Sequence, residues 1–98
     1  MILQDIISDI HALVEDLEMY ERKYGLLSET FYEMYSQGAE PEDESWVLEW
    51  SDWAGAYQTL LRRRDQYQRA IQSLQNEAQT LPAILKKAAR HEPISVNP

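Results

Sequence analysis

Apolar residues in the first 24 positions recur at alternating intervals of four and three. This spacing places side chains along one face of an α-helix. It predicts a helix over residues 2–24, and Gly25 is the residue type that most easily adopts the left-handed conformation that closes a helix. The apolar stripe, in which Glu21 stands as the one charged member, consists of Leu3, Ile7, Ile10, Val14, Leu17 and Tyr24.

A shorter helix is predicted over residues 29–37, with Ser28 as its N-terminal cap and Gly38 at its end. An acidic loop over 39–44 follows. From residue 46 the four-three alternation then holds for five heptads, which indicates a long helix over 46–81 with coiled-coil-like packing. Its stripe comprises Trp46, Trp50, Trp53, Tyr57, Leu60, Arg64, Tyr67, Ile71, Leu74, Ala78 and Leu81.

Pro82 cannot donate a backbone hydrogen bond and crowds the preceding turn, so it should interrupt the long helix. We therefore predict a last short helix over 83–90 and a flexible tail over 93–98. The fold class expected is all-α: an antiparallel long-helix hairpin with a short intervening helix, forming a single domain over residues 1–92.

The two long helices are predicted to differ in length, at about 33 Å for the first and about 52 Å for the third, from a rise of about 1.5 Å per residue. The overhang would expose Ile71, Leu74 and Leu81. Soluble proteins rarely leave such a strip uncovered. We therefore expect assembly into a helical bundle or a coiled-coil-like dimer.

Charge is distributed unevenly. Residues 1–49 carry 13 acidic and 2 basic residues, whereas residues 50–98 carry 4 acidic and 7 basic residues, within a net charge of −8. With this pattern the two halves could neutralise each other, two copies could pair head to tail, or the acidic half could bind a partner with a basic surface; nucleic acid is disfavoured. The absence of cysteine, and of any signal-peptide pattern or membrane-length apolar run, predicts a cytoplasmic protein.

Four carboxylates, Glu18, Glu21, Glu49 and Asp52, could form two acidic clusters on adjacent helices that hold Mg²⁺. This arrangement resembles the all-α nucleoside-triphosphate pyrophosphohydrolases, which pair E-E-x-x-E with E-x-x-D. The first half of that motif fails at residues 17–19, and a solvated acidic face explains the same residues. We expect no cofactor and no bound metal.

Gly55 lies inside the long helix, where glycine costs about 1 kcal/mol relative to alanine. Between Trp53 and Tyr57 it could form a notch that receives Phe31 or Tyr32; alternatively, it is an exposed and tolerated glycine.

A second open question concerns the charges in the two stripes. Arg64 could form a buried pair with Glu21, or it could lie at the edge of the bundle with its head group in water.

The segments Tyr24-Gly25-x-x-Ser28-x-x-Phe31 and Asp52-Trp53-Ala54-Gly55-x-Tyr57, separated by the acidic loop, resemble a group of short uncharacterised prokaryotic helical proteins. Many members of that group are encoded beside small toxin-like genes. The resemblance covers about residues 20–60 and implies an antitoxin-like, partner-binding role without catalytic residues.

We therefore expect a non-catalytic interaction module that binds and occludes a partner protein, associates with itself, or does both. The alternative is the Mg²⁺-dependent pyrophosphohydrolase. The residues expected to bind the partner are Phe31, Tyr32, Trp46, Trp50, Trp53, Gly55, Tyr57, Arg64, Ile71 and Leu74.

Overall fold

A computed structural model describes residues 1–77 and 80–96, and this part of the chain is all-helical, as predicted. The four helices are α1 (Leu3–Tyr24), α2 (Ser28–Ser36), α3 (Glu44–Asn76) and α4 (Leu81–Ala89). No strand occurs among the described residues, although Ile2 and Ser95 form an isolated antiparallel bridge. None of the helices in these two ranges has the length and apolar character needed to span a membrane.

Glycines close the first two helices. Gly25 follows α1 with φ of +73°, and Gly38 follows α2 with φ of +100°, a region that side chains other than glycine seldom enter. Ser28, predicted as a cap, is instead the first residue of α2, and the capping position is taken by Leu27 without a side-chain hydrogen bond. The hydroxyl of Ser28 is used elsewhere, as described below.

Asp43 caps the N-terminus of the long helix α3. The Asp43 carboxylate accepts hydrogen bonds from the backbone N–H and the hydroxyl of Ser45, each at 2.8 Å. These bonds lower the pKa of Asp43, the backbone bond most strongly. Asp43 therefore satisfies a free N–H group in the first turn of α3.

The predicted continuation of the long helix to residue 81 is wrong, because α3 ends at Asn76. A new helix, α4, begins at Leu81, where Thr80 Oγ1 accepts a hydrogen bond of 3.2 Å from the backbone N–H of Ala83. Pro82 lies in the first turn of α4, where its missing N–H costs nothing. Ala78 of the predicted stripe lies outside the described residues.

The chain divides into two compact units. Unit 1 comprises Met1–Ile10 and Arg62–Pro98, and unit 2 comprises His11–Leu61. The core of unit 1 draws on all three of its segments, the start of α1, the second half of α3 and the C-terminal region with α4. Its buried residues are Leu3, Ile6, Ala70, Leu74, Ile84 and Ile94.

Residues 93–96, predicted as the start of a flexible tail, instead pack against the N-terminus. The Leu3 N–H donates to the carbonyl of Ile94 at 2.7 Å, and the Val96 N–H donates to that of Met1 at 3.2 Å. The Ile94 side chain is 3% exposed. Periodicity cannot detect this contact, because it joins the two ends of the chain; residues 97 and 98 of the predicted tail lie outside the described part.

The predicted overhang is also corrected. Leu74 is 4% exposed and Ile71 is half-buried, because α4 and the segment around Ile94 cover this part of α3. Of the three residues expected to be uncovered, Leu81 alone is exposed. An uncovered strip on the long helix therefore gives no reason to expect a dimer.

Candidate interaction site

The core of unit 2 is an aromatic cluster centred on Trp53, which is 1% exposed. The Phe31 ring stacks on the Trp53 indole at 3.8 Å between centroids and 4° between planes. The rings of Tyr24 and Tyr20, both on α1, also stack on the Trp53 indole, with centroids 5.4 Å and 5.7 Å away. These contacts join α1, α2 and α3, so the Trp53 side chain serves as the packing centre of unit 2.

Ser28 connects the same three helices by hydrogen bonds. Its Oγ accepts from Trp53 Nε1 at 2.8 Å and donates to Glu21 Oε2 at 2.8 Å. The backbone N–H of Ser28 donates to the same Glu21 oxygen, also at 2.8 Å. The charged position in the α1 stripe is thereby satisfied inside unit 2, and the Trp53 indole has an acceptor.

The end of α1 and the start of α3 are linked by Glu49. Lys23 Nζ donates to Glu49 Oε1 at 2.6 Å, and the Tyr24 hydroxyl donates to Glu49 Oε2. The hydrogen bond from Lys23, and then that from Tyr24, hold the pKa of Glu49 below its usual value. The hydrogen bond to Glu49 in turn raises the pKa of Lys23. Burial of the Tyr24 side chain, and after it the hydrogen bond to Glu49, raise the pKa of Tyr24. Its hydroxyl therefore stays a neutral donor at physiological pH.

Beside this cluster, unit 2 has an open apolar pocket of about 210 Å³. Its lining residues are Tyr24, Leu26, Phe31, Met34, Ala39, Trp50 and Trp53. The Trp50 indole nitrogen approaches the Tyr24 hydroxyl closely enough to oppose the rise in its pKa. Among the described residues, however, it has no partner in hydrogen-bond geometry and is shielded from solvent. The pocket is therefore an apolar cavity with the Trp50 ring in its wall.

Large apolar side chains of unit 2 also extend into solvent. Leu26 and Met34, at the pocket, are 40% and 44% exposed, and Leu48, in the second turn of α3, is 70% exposed. Unit 2 carries 12 acidic and 2 basic residues, a formal charge of −10. We call the exposed Leu26, Met34 and the pocket behind them the acidic-unit surface. Unit 2 thus combines exposed apolar side chains with a strongly negative net charge.

The aromatic residues predicted to bind a partner range from buried to exposed. Phe31 and Trp53 are buried, whereas Trp50 is half-buried and lines the pocket. Tyr32 and Tyr57 are half-buried and form a tilted ring pair with centroids 5.2 Å apart. The ring of Trp46 stacks on that of Trp50 and is partly exposed. Ile71 and Leu74 belong to unit 1 and pack in its core.

The notch predicted at Gly55 is wrong. A Cβ added at Gly55 would meet no atom within 4 Å beyond its chain neighbours and its own helix backbone. Phe31 packs on Trp53 instead, and Tyr32 packs on Tyr57. Gly55 is exposed, which corresponds to the alternative interpretation of a tolerated glycine.

The buried pair proposed between Glu21 and Arg64 does not match the structure. The Glu21 carboxylate is engaged by Ser28, and Arg64 is exposed. Arg64 thus fits the alternative, in which its head group is in water.

The sequence patterns did not single out three of the pocket residues, Leu26, Met34 and Ala39. Met34 lies one helical turn after Phe31 and could have been assigned to the same face.

Three of the four carboxylates of the enzyme alternative, all except Asp52, have different partners in the structure. Glu18 pairs with Arg22 at 3.6 Å, Glu21 binds Ser28 and Glu49 binds Lys23. Across residues 1–77 and 80–96, no group of three or more histidine, aspartate or glutamate side chains is placed to hold a metal ion.

Comparison with known proteins yields no match to a family model, to a curated protein or to a solved structure.

Proposed function

We propose that the protein is a helical interaction module that binds and occludes a partner protein with a basic surface, in the manner of an antitoxin. The observation that carries this proposal is the acidic-unit surface, an open apolar pocket with exposed Leu26 and Met34 in a unit of charge −10. An apolar side chain of the partner enters the pocket. The negative net charge of unit 2 favours a basic partner and accelerates its approach.

The packing of unit 2 supports this role. Ring stacking around Trp53, the Ser28 hydrogen bonds and the Glu49 linkage hold the pocket walls before any partner arrives. A preformed site loses less conformational entropy on binding. We further propose that α1 and α3 form an antiparallel hairpin, since the contacts Lys23–Glu49 and Tyr20–Trp53 run in opposite chain directions.

Occlusion requires no reacting group on this chain. The acidic-unit surface covers a functional basic region of the partner, and the partner is inactive while the complex lasts. The lifetime of that complex depends on the apolar contacts in the pocket, whereas the charges set the rate of association.

The test is co-expression of this chain with the product of the gene adjacent to its own, with growth as the readout. The adjacent product alone should arrest growth, and co-expression of the parent chain should restore it. Met34→Lys should fail to restore growth, whereas Met19→Lys, which adds the same charge at an exposed site on α1, should succeed. An adjacent product that does not affect growth, or equal rescue by both variants, would overturn the proposal.

A further inference from the structure

Unit 1 carries an apolar groove that the proposed function does not use. Its volume is about 540 Å³, and its walls include Leu3 and Ile7 of α1, Tyr67 and Ile71 of α3, and Leu81 and Leu85 of α4. Leu81 is 57% exposed and Leu85 is 69% exposed. An open groove with two leucines extending into solvent has the character of a surface that receives an apolar helix segment.

The charges of unit 1 indicate which kind of segment would bind in the groove. Lys86 and Lys87 lie between the groove residues Leu85 and Ala88 along α4, and Arg90 follows within one turn. Unit 1 carries 7 basic and 5 acidic residues, a formal charge of +2, against −10 for unit 2. The groove therefore favours an apolar segment with acidic residues beside it.

The chain itself contains a segment with these properties, residues 42–48, which we call the α3 start segment. Its residues Glu42, Asp43 and Glu44 are acidic and exposed, and they precede Trp46, Val47 and Leu48. All three apolar residues are at least one-third exposed, and Leu48 reaches 70%.

The Trp46 indole is held in place before any association, because it stacks on Trp50 at 5.9 Å between centroids and 6° between planes. The α3 start segment is thus a rigid, apolar helix start with an acidic border. A fixed ring of this kind loses little conformational entropy when it is covered by another protein.

We propose that two copies of this chain associate, with the α3 start segment of one copy seated in the apolar groove of the other. Trp46 and Leu48 contact the groove leucines, while the acidic residues 42–44 lie near Lys86 and Lys87. A contact between the acidic units of two copies is disfavoured, since each carries −10. This proposal uses a different surface from the proposed function and does not depend on it.

The experiment is sedimentation velocity on the full chain over about 1 to 200 µM, a range that brackets a micromolar dissociation constant. The parent should change reversibly from monomer to dimer, and added salt should weaken the association because exposed charges are screened. Leu85→Glu in the groove and Leu48→Lys in the α3 start segment should each weaken association by about tenfold or more.

Mixing the two variants tests whether the groove contacts the α3 start segment, and not a second groove or a second α3 start segment. Leu85→Glu keeps an intact α3 start segment, and Leu48→Lys keeps an intact groove, so a 1:1 mixture should associate more tightly than either variant alone. Two exposed control sites, Met19→Lys in unit 2 and Gln68→Glu in unit 1, should associate like the parent. Thermal midpoints equal to that of the parent would show that the variants fold.

Three results would overturn the proposal. The first is a parent that stays monomeric throughout the concentration range. The second is association of either variant with the affinity of the parent. The third is a mixture of Leu85→Glu and Leu48→Lys that associates no more tightly than either variant alone.

Discussion

The indole N–H of Trp53 donates a 2.8 Å hydrogen bond to the hydroxyl of Ser28, and both residues are buried. The Ser28 hydroxyl in turn donates a hydrogen bond to Glu21 of α1, so one hydroxyl group connects three helices. Buried polar groups that lose a partner carry the full cost of desolvation.

Ser28→Ala should therefore lower the free energy of unfolding by about 1 to 3 kcal/mol, because the Trp53 N–H is left buried without an acceptor. Urea denaturation followed by tryptophan fluorescence measures this change. Ser45→Ala removes another hydroxyl that bonds to a carboxylate, but at an exposed site, and should cost no more than about 0.5 kcal/mol. Equal effects of the two substitutions would contradict the role given to Ser28.

Gly55 and Gly25 should respond to alanine in opposite directions. Gly55→Ala should raise the free energy of unfolding by up to about 1 kcal/mol, since the site is open and alanine is the better helix former. Gly25→Ala should lower it by about 1 to 2 kcal/mol, because Gly25 has φ of +73°. Thermal denaturation shows whether each variant is more or less stable than the parent. A Gly55→Ala variant less stable than the parent would mean that the site is packed.

Ile94 tests the contact between the ends of the chain. Ile94→Ala should cost about 2 to 5 kcal/mol, as for other buried isoleucines, because it leaves a cavity against Leu3. Met19→Ala, at an exposed site on α1, should change stability by no more than about 0.5 kcal/mol. If both variants unfold at the urea midpoint of the parent, residues 93–96 do not belong to the core of unit 1.

The Glu49 linkage predicts a pH dependence of stability. Lys23 and Tyr24 hold the pKa of Glu49 below its ordinary value of 4.5 in the folded chain. The stabilisation is therefore fully present above that value and is lost as the pH falls through the lower pKa of the folded state. The difference in free energy of unfolding between the parent and Glu49→Gln should be largest near neutral pH and should shrink below pH 4.5.

Lys23→Gln provides the matched comparison, since it removes the strongest cause of the shift. In that background, Glu49→Gln should show a weaker pH dependence than in the parent. A parent-to-variant difference that stays constant from neutral to acidic pH would rule out the linkage.

The sequence was sufficient for the features that depend on local periodicity and turn residues. The four-three alternation predicts the all-α class, and the glycines at 25 and 38 mark two helix ends that the structure shows with positive φ. The break after α3 was misplaced because Leu81 and Leu85 continue the same heptad phase. Periodicity alone cannot decide whether such residues extend one helix or begin another.

The candidate site was harder to predict, because it depends on which residues meet across helices. The aromatic residues were singled out as a group for partner binding, but two of them, Phe31 and Trp53, are buried and stack on each other. The exposed residues that define the acidic-unit surface, Leu26 and Met34, are ordinary apolar residues in the sequence. Their exposure depends on how the chain packs in three dimensions, which a one-dimensional pattern does not contain.

The central claim, that the acidic-unit surface binds a basic partner, is tested most directly by calorimetric titration of the purified chain with the product of the adjacent gene. The parent should bind, and Met34→Lys at the pocket should bind at least about tenfold more weakly, or about 1.4 kcal/mol. Met19→Lys should bind like the parent. Absence of binding by the parent, or equal affinities for Met34→Lys and Met19→Lys, would contradict the claim.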